Sequence, residues 1–454
     1  MIRRAVQLLD ERTGAAPLLR KGLRYVFPDH WSFLLGEVAV YSFMVLVGTG
    51  VYITLFFEPS YAETVYHGSY EPLQGFTMSE AYKSVLEISF DVKAGLLMRQ
   101  THHWAANVFV AAIVVHLLRV FFTGAYRKPP ELTWVVGLLM LFTTLLEGYL
   151  GYSLIDDLLS GMGLAIGYAV AESLPLIGAD LALGIWGAPF PGDPAFEPRM
   201  YIFHVLILPV AIGTMIAVHL SLVASHHHTQ FRRTRRQSER KLLGSPLFPA
   251  QVPRSLGLLL LSAGLLFLLG GLVQINPIWE WGPYDVALST NGAQPDWYLG
   301  WLIGSMRLVP GFDVTIGEYT LVPNPFWGGA LFPLVVFLVL GAYPWVEKRI
   351  RGERGFSNVL DRPRDRPGRT AFGAAFFIWV ALVLFAGSAD RVYVFFGIVD
   401  YVAQVWVYRA AVFVVPIVVY FVTKRVCKEL QRAERIEHAS EQAEAEARAG
   451  VAPA

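Results

Sequence analysis

The sequence predicts an all-α integral membrane protein with eight transmembrane helices. Hydrophobic residues make up 54% of the 454-residue chain and charged residues only 16%. Apolar runs of about 20 residues recur, the length that crosses about 30 Å of hydrocarbon. A soluble core of this size would interleave more charge and more turns. The predicted spans are residues 36–57, 104–123, 133–153, 203–224, 256–274, 327–346, 371–388 and 408–426.

Positive charge alternates from one predicted loop to the next. Arginine and lysine concentrate before the first span, in the loops after the second, fourth and sixth spans, and after the eighth, whereas the other loops are acidic or neutral. By the positive-inside rule, both termini and the basic loops are expected on the cytoplasmic side of a cell membrane. This placement makes the lipid bilayer the expected partner and argues against nucleic acid. The first 30 residues hold no apolar core, so no cleavable signal peptide is expected.

The predicted spans divide the chain into four segments. A cytoplasmic segment, residues 1–32, precedes an N-terminal four-helix domain over residues 33–230. A C-terminal four-helix domain, residues 231–428, is followed by a charged cytoplasmic tail, residues 429–454.

Two pairs of histidines lie inside two of the apolar stretches. His102 and His116 are 14 residues apart, and His204 and His219 are 15 apart. Both gaps span roughly 21–22 Å of helix, or about four turns, so side-by-side helices would form two facing pairs at two depths. Two imidazoles are the axial ligands of a bis-histidine haem, which predicts a di-haem bundle. For any one of these histidines alone, an interhelical hydrogen bond or a proton relay is the alternative.

Glycines repeat with the same four-turn period in two neighbouring spans. A glycine removes the side chain and lets a flat macrocycle approach the backbone. Glycine is also common in membrane helices, so it is the period shared by four helices that favours haem. The two pairs are Gly36 with Gly50 and Gly137 with Gly151.

Arginines flank the first histidine pair. Arg99 lies three residues before His102 and Arg119 three residues after His116, at the depths where haem propionates need a charged partner. The alternative is an interfacial arginine that reaches the headgroups. Pro209 can kink the fourth span and reconcile its 15-residue spacing with the 14 opposite.

The other histidines and the single cysteine do not belong to this pattern. His103 and residues 226–228 lie off the four-turn period and are not assigned as haem ligands. The chain has one cysteine, Cys427, which excludes an intrachain disulfide and a C-x-x-C-H motif, so no covalently bound haem is expected.

These motifs resemble cytochrome b of the quinol:cytochrome c reductases, the bc1/b6f group, from about Asp29 to Arg432. The motifs that carry the resemblance are Arg99-x-x-His102, His116-x-x-Arg119, the glycine pairs, KPPELTW (128–134), GYSL (151–154), the second histidine pair and PDWY (295–298). The strings DHWSFLLGE (29–37), DDLLSG (156–161), HTQF (228–231), INPIWEWGPYD (275–285), QPDWY (294–298) and LDRPR (360–364) are similar to the actinobacterial branch.

The resemblance implies a role for each of these residues. His102 and His204 would ligate an outer haem, and His116 and His219 an inner haem. The motif Pro295-Asp296-Trp297-Tyr298 would form the catalytic quinol-oxidation loop, with Asp296 in place of the family's usual glutamate as the proton acceptor. Tyr152 and Gly163 match positions that line the same pocket. Ile155 stands where relatives have proline, which leaves the local turn open.

Three further expectations concern less specific positions. Glu147 lies within the third span, and a role in proton exit from the quinol site or a satisfied hydrogen bond both fit it. The inner quinone site is poorly specified: Ala224 stands where some relatives have histidine, while residues 29–31 and 226–228 lie at the expected face. A cysteine-held third haem has no anchor because Leu34 stands at that position, so two b haems are expected.

The resemblance implies the membrane subunit of a quinol:cytochrome c oxidoreductase that bifurcates electrons and translocates protons. The implied partners are a Rieske iron–sulfur subunit, a c-type cytochrome subunit and a terminal cytochrome c oxidase in a supercomplex, within a dimeric complex. Menaquinone is the implied quinone. Two alternatives are a di-haem membrane anchor or cytochrome-b561-like carrier, which needs no PDWY loop, and a proton-relay transporter, which predicts no haem.

Overall fold

The computed structural model describes residues 10–14, 22–127, 129–232, 239, 242–288, 294–352, 355–397 and 400–450. Part of the predicted cytoplasmic segment (1–9 and 15–21), Lys128, residues 233–238 and 240–241 of the basic loop, Arg354 and the last four tail residues lie outside the described residues. The domain boundaries at 32, 230 and 428 stay predictions.

Eight helices in the described part of the chain are long and apolar enough to cross a membrane, which confirms the predicted all-α membrane fold. In chain order the helices are α1 (Leu35–Thr54), α2 (Glu80–Phe90), α3 (Gly95–Thr123), α4 (Glu131–Ser153), α5 (Leu158–Glu172), α6 (Gly178–Trp186), α7 (Phe196–His226), α8 (Val252–Leu272), α9 (Gly300–Leu308), α10 (Phe326–Arg351), α11 (Pro367–Gly387), α12 (Ala389–Phe396) and α13 (Tyr401–Gly450). The eight spans are α1, α3, α4, α7, α8, α10, α11 and α13.

Strand structure among the described residues is limited to four two-stranded pairs in the loops. Three pairs are antiparallel and one is parallel. The antiparallel pairs are β1 (Val26–Phe27) with β5 (Ser245–Pro246), β2 (Glu63–Val65) with β3 (Thr77–Ser79), and β6 (Val314–Ile316) with β7 (Tyr319–Val322). The parallel pair is β4 (Gln230–Phe231) with β8 (Val359–Leu360).

Most of the spans contact α3 or α4, and the last span, α13, packs mainly against α11. Helix α1 lies along α3, α8 contacts both, and α7 packs against α4. A hydrophobic cluster joins the two halves of the chain, since it contains Phe121 of α3, Trp134 of α4, Trp301 of α9 and Val383 of α11. The outward faces are apolar, as a lipid-facing surface requires; Leu260 and Leu261 of α8 are 66% and 67% exposed.

Helix α3 begins at Gly95, earlier than the predicted span at residue 104, and therefore carries Arg99 and both of its paired histidines on one continuous helix. It ends at Gly124, which adopts a left-handed φ of 66° and donates its N–H to the carbonyls of Val120 and Phe121.

Helix α7 contains a π-helical turn at Phe203–Ile207, directly before Leu208 and Pro209. A π turn inserts one extra residue into a helix. It therefore accounts for the 15-residue spacing of His204 and His219 opposite the 14-residue spacing in α3.

Candidate functional site

His102 of α3 faces His204, which lies in the π turn of α7. Their ring centroids are 6.2 Å apart and the ring planes are inclined by 79°. Two metal–nitrogen bonds of about 2 Å each, plus the distance from each nitrogen to its ring centre, fill such a gap. We call this the outer pair, since it lies near the PDWY loop.

His116 and His219 form the second pair, which we call the inner pair. Their ring centroids are 6.5 Å apart and the planes are inclined by 69°. The structure thus brings the four predicted histidines together as two facing pairs at two depths. No cluster of three or more His, Cys, Asp or Glu ligands occurs among the described residues, but a porphyrin supplies four nitrogens and needs only two imidazoles.

Neighbouring side chains determine which ring nitrogen of each outer imidazole carries the proton. The Thr49 hydroxyl donates to the carbonyl of Val45 at 2.7 Å and lies 3.0 Å from Nδ1 of His102. Because a hydroxyl has one proton, Thr49 accepts from Nδ1–H, which leaves the Nε2 lone pair free for a metal. Nδ1 of His204 lies 3.0 Å from Oε1 of Glu147, at ion-pair distance but outside hydrogen-bond geometry among the described residues. A negative charge at this place still favours the tautomer with the proton on Nδ1.

Each of the four predicted glycines lies behind one histidine ring. A methyl group built on Gly50 would lie 3.2 Å from Cε1 of His102, and one on Gly151 would collide with His204. At the inner level, the corresponding distances are 3.4 Å from Gly36 to His116 and 3.7 Å from Gly137 to His219. The missing side chains leave room for the imidazoles and for a flat group between them.

Arg99 and Arg119 each have buried guanidinium nitrogens that make no hydrogen bond among the described residues. Arg99 donates from Nε to Ser89 Oγ and from Nη1 to the carbonyl of Asn276, both at 3.1 Å. Its Nη2, and Nε and Nη2 of Arg119, are buried without a hydrogen-bond partner among the described residues. The Arg119 guanidinium lies 4.1 Å over the ring of Phe33. Carboxylates such as haem propionates are the acceptors that such donors favour.

A cavity surrounds each histidine pair. The outer cavity, of about 550 Å³, is lined by both outer histidines, Gly50, Gly151 and Arg99. The inner cavity, of about 520 Å³, is lined by both inner histidines, Gly36, Gly137 and Arg119. Both volumes fall in the range of cofactor pockets. The donors, the glycines and the space therefore fit one haem at each level.

The carboxylate of Asp296 also lies in the outer cavity. Oδ1 is 2.6 Å from Nε2 of His103, and the hydroxyl of Tyr298 donates to Oδ2 at 2.9 Å. Burial alone would raise the pKa of Asp296, but His103 and the hydrogen bonds of Tyr298 and Asn107 lower it below its ordinary value. Burial and the neighbouring Asp296 hold the pKa of Tyr298 well above 10.0. Its polar neighbours therefore favour the ionised form of this carboxylate inside an apolar pocket.

The remaining predicted quinol-site residues lie at different distances from the cavity. Tyr152 and Glu147 line it. Trp297 is 42% exposed, and Pro295 precedes the carboxylate in the loop. Gly163 lies behind Tyr152 instead of in the cavity wall, since a methyl group on it would lie 3.6 Å from Tyr152 Cε1.

The turn that follows Ile155 is held without the relatives' proline. Asp156 adopts a φ of 57°, and Asp157 caps α5 by accepting the N–H of Ser160 at 2.7 Å. The turn is also tied to the next loop, because Leu158 N–H donates to the carbonyl of Gly282 at 3.0 Å.

His103 has no role predicted from the sequence, and in the structure its ring nitrogen Nε2 contacts the carboxylate of Asp296. The second feature that the sequence did not predict is Asp390, which anchors the PDWY loop. Gln294 donates to Asp390 Oδ1 at 2.7 Å, and Arg307 makes two hydrogen bonds to the Asp390 carboxylate, at 2.8 and 2.7 Å. The one sequence signal for His103 was its position inside a span, next to the proposed ligand His102. No sequence signal pointed to the anchor at Asp390.

The inner cavity extends towards the segments that sequence analysis placed at its face. Asp29, His30 and His228 line it together with Arg254. Arg254 lies 3.1 Å from Asp29 Oδ1. Burial, with Arg119 nearby, lowers the pKa of His228 to about 4. A neutral imidazole and a paired carboxylate therefore line an aromatic-rich extension of this cavity.

Comparisons with known proteins agree with this architecture. Residues 107–283 match the family model described as "Cytochrome b(N-terminal)/b6/petB". The chain is 43% identical over 432 residues to the cytochrome bc1 complex cytochrome b subunit of Streptomyces coelicolor, covering 95% of this chain and 78% of the relative. It is 44% identical over 444 residues to that of Mycobacterium tuberculosis, covering 97% and 80%.

A solved structure shares the fold. A chain of the "Hyperthermophilic respiratory Complex III" matches with a TM-score of 0.67 at 20% identity, over 92% of this chain and 99% of that one. Together with the identity to the curated relatives, this shows that the chain belongs to the cytochrome b family, as the cytochrome b subunit of a bc1-type respiratory complex III.

Proposed function

We propose that this chain oxidises quinol in the outer cavity and carries electrons across the membrane between its two histidine pairs. The family implies b-type haem and a quinol:cytochrome c oxidoreductase complex. The observation that carries the finer proposal is the pair of facing histidines at each of two depths, with the buried side chain of Asp296 lining the outer cavity. The dehydrogenase anchor and the transporter do not fit this family.

The chain's residues would hold one haem at each level. His102 and His204 would supply Nε2 to the outer iron, and His116 and His219 to the inner iron. The free nitrogens of Arg99 and Arg119 would pair with the propionates. When bound, the two haems accept and pass on single electrons.

Asp296 would accept a proton from a quinol hydroxyl. Its lowered pKa keeps it deprotonated before quinol arrives, and its place in the cavity puts it within reach of a bound ring. Tyr298 and Tyr152 would pack on the quinol ring, while Pro295 and Trp297 would fix the loop. The quinol protons would leave on the outer side, one electron would go to a Rieske iron–sulfur partner, and the other would cross to the inner pair.

The position of Glu147 beside His204, with Oε1 3.0 Å from Nδ1, favours an electrostatic role on this imidazole over a role in proton exit. A carboxylate on the second nitrogen of a ligand imidazole orients the ring and raises its basicity. The inner quinone would occupy the extension near His228 and Arg254 and take protons from the cytoplasmic side.

The charge pattern and the family support a proposal for the cellular setting. Eight spans with basic loops on one side favour both termini on the cytoplasmic side of a cell membrane. The other subunits would be a Rieske protein and a c-type cytochrome, in a dimer that joins a terminal oxidase, and the quinone would be menaquinone, as in actinobacterial relatives.

A dithionite-reduced minus oxidised spectrum of the purified complex, with extracted b haem counted per chain, tests the proposal. Two b haems per chain are expected. One haem, or none, would contradict the four-histidine assignment. Oxidation of 2,3-dimethyl-1,4-naphthoquinol by the same preparation tests the quinol site separately.

A further inference from the structure

His103 follows His102 in α3 but points to a different partner. Consecutive helical residues are about 100° apart around the axis, so His103 does not face His204. Its Nε2 lies 2.6 Å from Oδ1 of Asp296, a residue 193 positions later in the chain. Both side chains are 13% exposed. This contact joins α3 directly to the PDWY loop.

The Asp296 carboxylate is held through both of its oxygens. His103 contacts Oδ1, and the hydroxyl of Tyr298 donates to Oδ2 at 2.9 Å. The last torsion of an aspartate is broad when nothing restrains it. These donors on the two oxygens, with the Asn107 amide as a further neighbour, set the plane of the carboxylate. An ionised carboxylate only accepts, so His103 contributes an Nε2–H donor.

A side-chain hydrogen bond also stabilises the backbone of α3 at His103. Asn107, one turn later, donates from its side chain to the backbone carbonyl of His103 at 3.0 Å. The restraint on Asp296 thus comes from a membrane-spanning helix, whereas Tyr298 belongs to the same loop as the carboxylate that it contacts.

We propose that His103 is a positioning residue of the outer quinol site, which donates Nε2–H to Asp296 and holds its carboxylate in the orientation that meets a quinol hydroxyl. This inference rests on the proposed role of Asp296. Because reacting atoms must be aligned within a fraction of an ångström, a misplacement of about 1 Å costs roughly 100-fold in rate. His102 and His103 are consecutive, so the carboxylate keeps a fixed place relative to the outer histidine pair.

Two amide variants separate positioning from general helix structure. The amide nitrogen of His103→Gln reaches the place of the imidazole Nε2, whereas that of His103→Asn reaches only the place of Nδ1. We expect His103→Gln to keep kcat within about fivefold of the unaltered complex. We expect His103→Asn to lose about 10- to 100-fold in kcat, with KM changed less than about threefold. The assay is oxidation of 2,3-dimethyl-1,4-naphthoquinol by the assembled complex.

Two controls accompany the assay. Both variants must retain two b haems per chain in the reduced-minus-oxidised spectrum. If His103→Asn loses haem, His103→Met replaces it, because methionine keeps much of the volume and donates no hydrogen bond. The double variant with Asp296→Asn should be no slower than Asp296→Asn alone, since His103 acts through that carboxylate.

The outcomes distinguish this inference from the proposed function. If Asp296→Asn abolishes turnover while His103→Asn does not slow it, the positioning role is wrong and the role of Asp296 stands. Equal losses in His103→Gln and His103→Asn, or an additive loss in the double variant, also overturn the positioning role. Full turnover in Asp296→Asn overturns the proposed function and this inference with it.

Discussion

Glu147 of α4 and His204 of α7 face each other, with Oε1 3.0 Å from Nδ1. The opposite imidazole, His102, has a neutral partner instead, the hydroxyl of Thr49 at 3.0 Å. The two imidazoles of the outer pair therefore differ in the charge behind them. A carboxylate makes the imidazole a stronger electron donor and so stabilises the ferric state of an iron bound to it.

Replacing Glu147 by glutamine should raise the midpoint potential of the outer haem. If the variant lowers the preference for ferric over ferrous iron by about tenfold, the midpoint potential rises by roughly 60 mV for this one-electron couple. A spectroscopic redox titration of the complex measures the shift. Thr49→Val, which removes a neutral partner, should shift the same potential less. An unchanged potential with slowed quinol oxidation would instead support the proton-exit role of Glu147.

Each histidine pair should bind its haem independently. His102→Ala should remove or alter only the outer haem, and His116→Ala only the inner one, because the pairs line separate cavities. Haem extraction and low-temperature difference spectra count the haems and tell them apart. His103→Gln is the matched control and should keep both. Loss of both haems from either alanine variant, in complexes that still assemble, would contradict independent sites.

The histidine pairs were predictable from sequence because a helix is rigid. A spacing of four turns fixes both depth and face, so the structure brings His102 to His204 and His116 to His219 as expected. The π turn around His204 was not predictable in detail. The 15-residue spacing and Pro209 showed only that α7 departs from regular geometry.

Contacts between a helix and a distant loop could not be predicted in the same way. His103 meets Asp296 across 193 residues, and this depends on the path of the loop between α8 and α9, which no helical period encodes. The same holds for Asp390, which anchors Gln294. Local pattern thus predicted the two facing histidine pairs, whereas the surroundings of the PDWY loop needed the tertiary structure.

Asp296→Asn should slow quinol oxidation by about 10²- to 10⁴-fold, the usual contribution of a positioned general base. Asp296→Glu, which keeps the charge, should retain more activity. The pKa of Asp296 is lowered in the folded protein, so its carboxylate persists as the pH falls and is lost only below its ordinary range. The pH dependence of kcat/KM should therefore show no acid loss from Asp296 above about pH 4. Unchanged turnover in Asp296→Asn would exclude it as proton acceptor.

Asp156 should make the outer loop less stable as the pH rises. Burial, together with the neighbouring Asp157, raises its pKa from 3.8 to about 7. A raised pKa favours the neutral form in the folded state, so its contribution is fully present below about pH 4 and is lost as the pH rises through about 7. The shift corresponds to at most about 4 kcal/mol. The Tm of the complex should fall between pH 5 and 8, and Asp156→Asn should flatten that fall. An equally steep fall in the variant would contradict this origin.

Asp390 should control quinol oxidation from outside the cavity. It binds Arg307 through both carboxylate oxygens and accepts from Gln294, two residues before Asp296. Asp390→Ala frees the loop and leaves a largely buried guanidinium without its carboxylate, so we expect roughly a tenfold loss in kcat and a lower Tm.

Asp193→Ala is the matched control, because Asp193 also lies 2.7 Å from an arginine, Arg199, but both side chains are about twice as exposed. An exposed pair contributes about 0–1 kcal/mol, so Asp193→Ala should leave kcat unchanged. Equal effects of the two substitutions would show that charge loss on the outer face, and not release of the loop, slows the reaction.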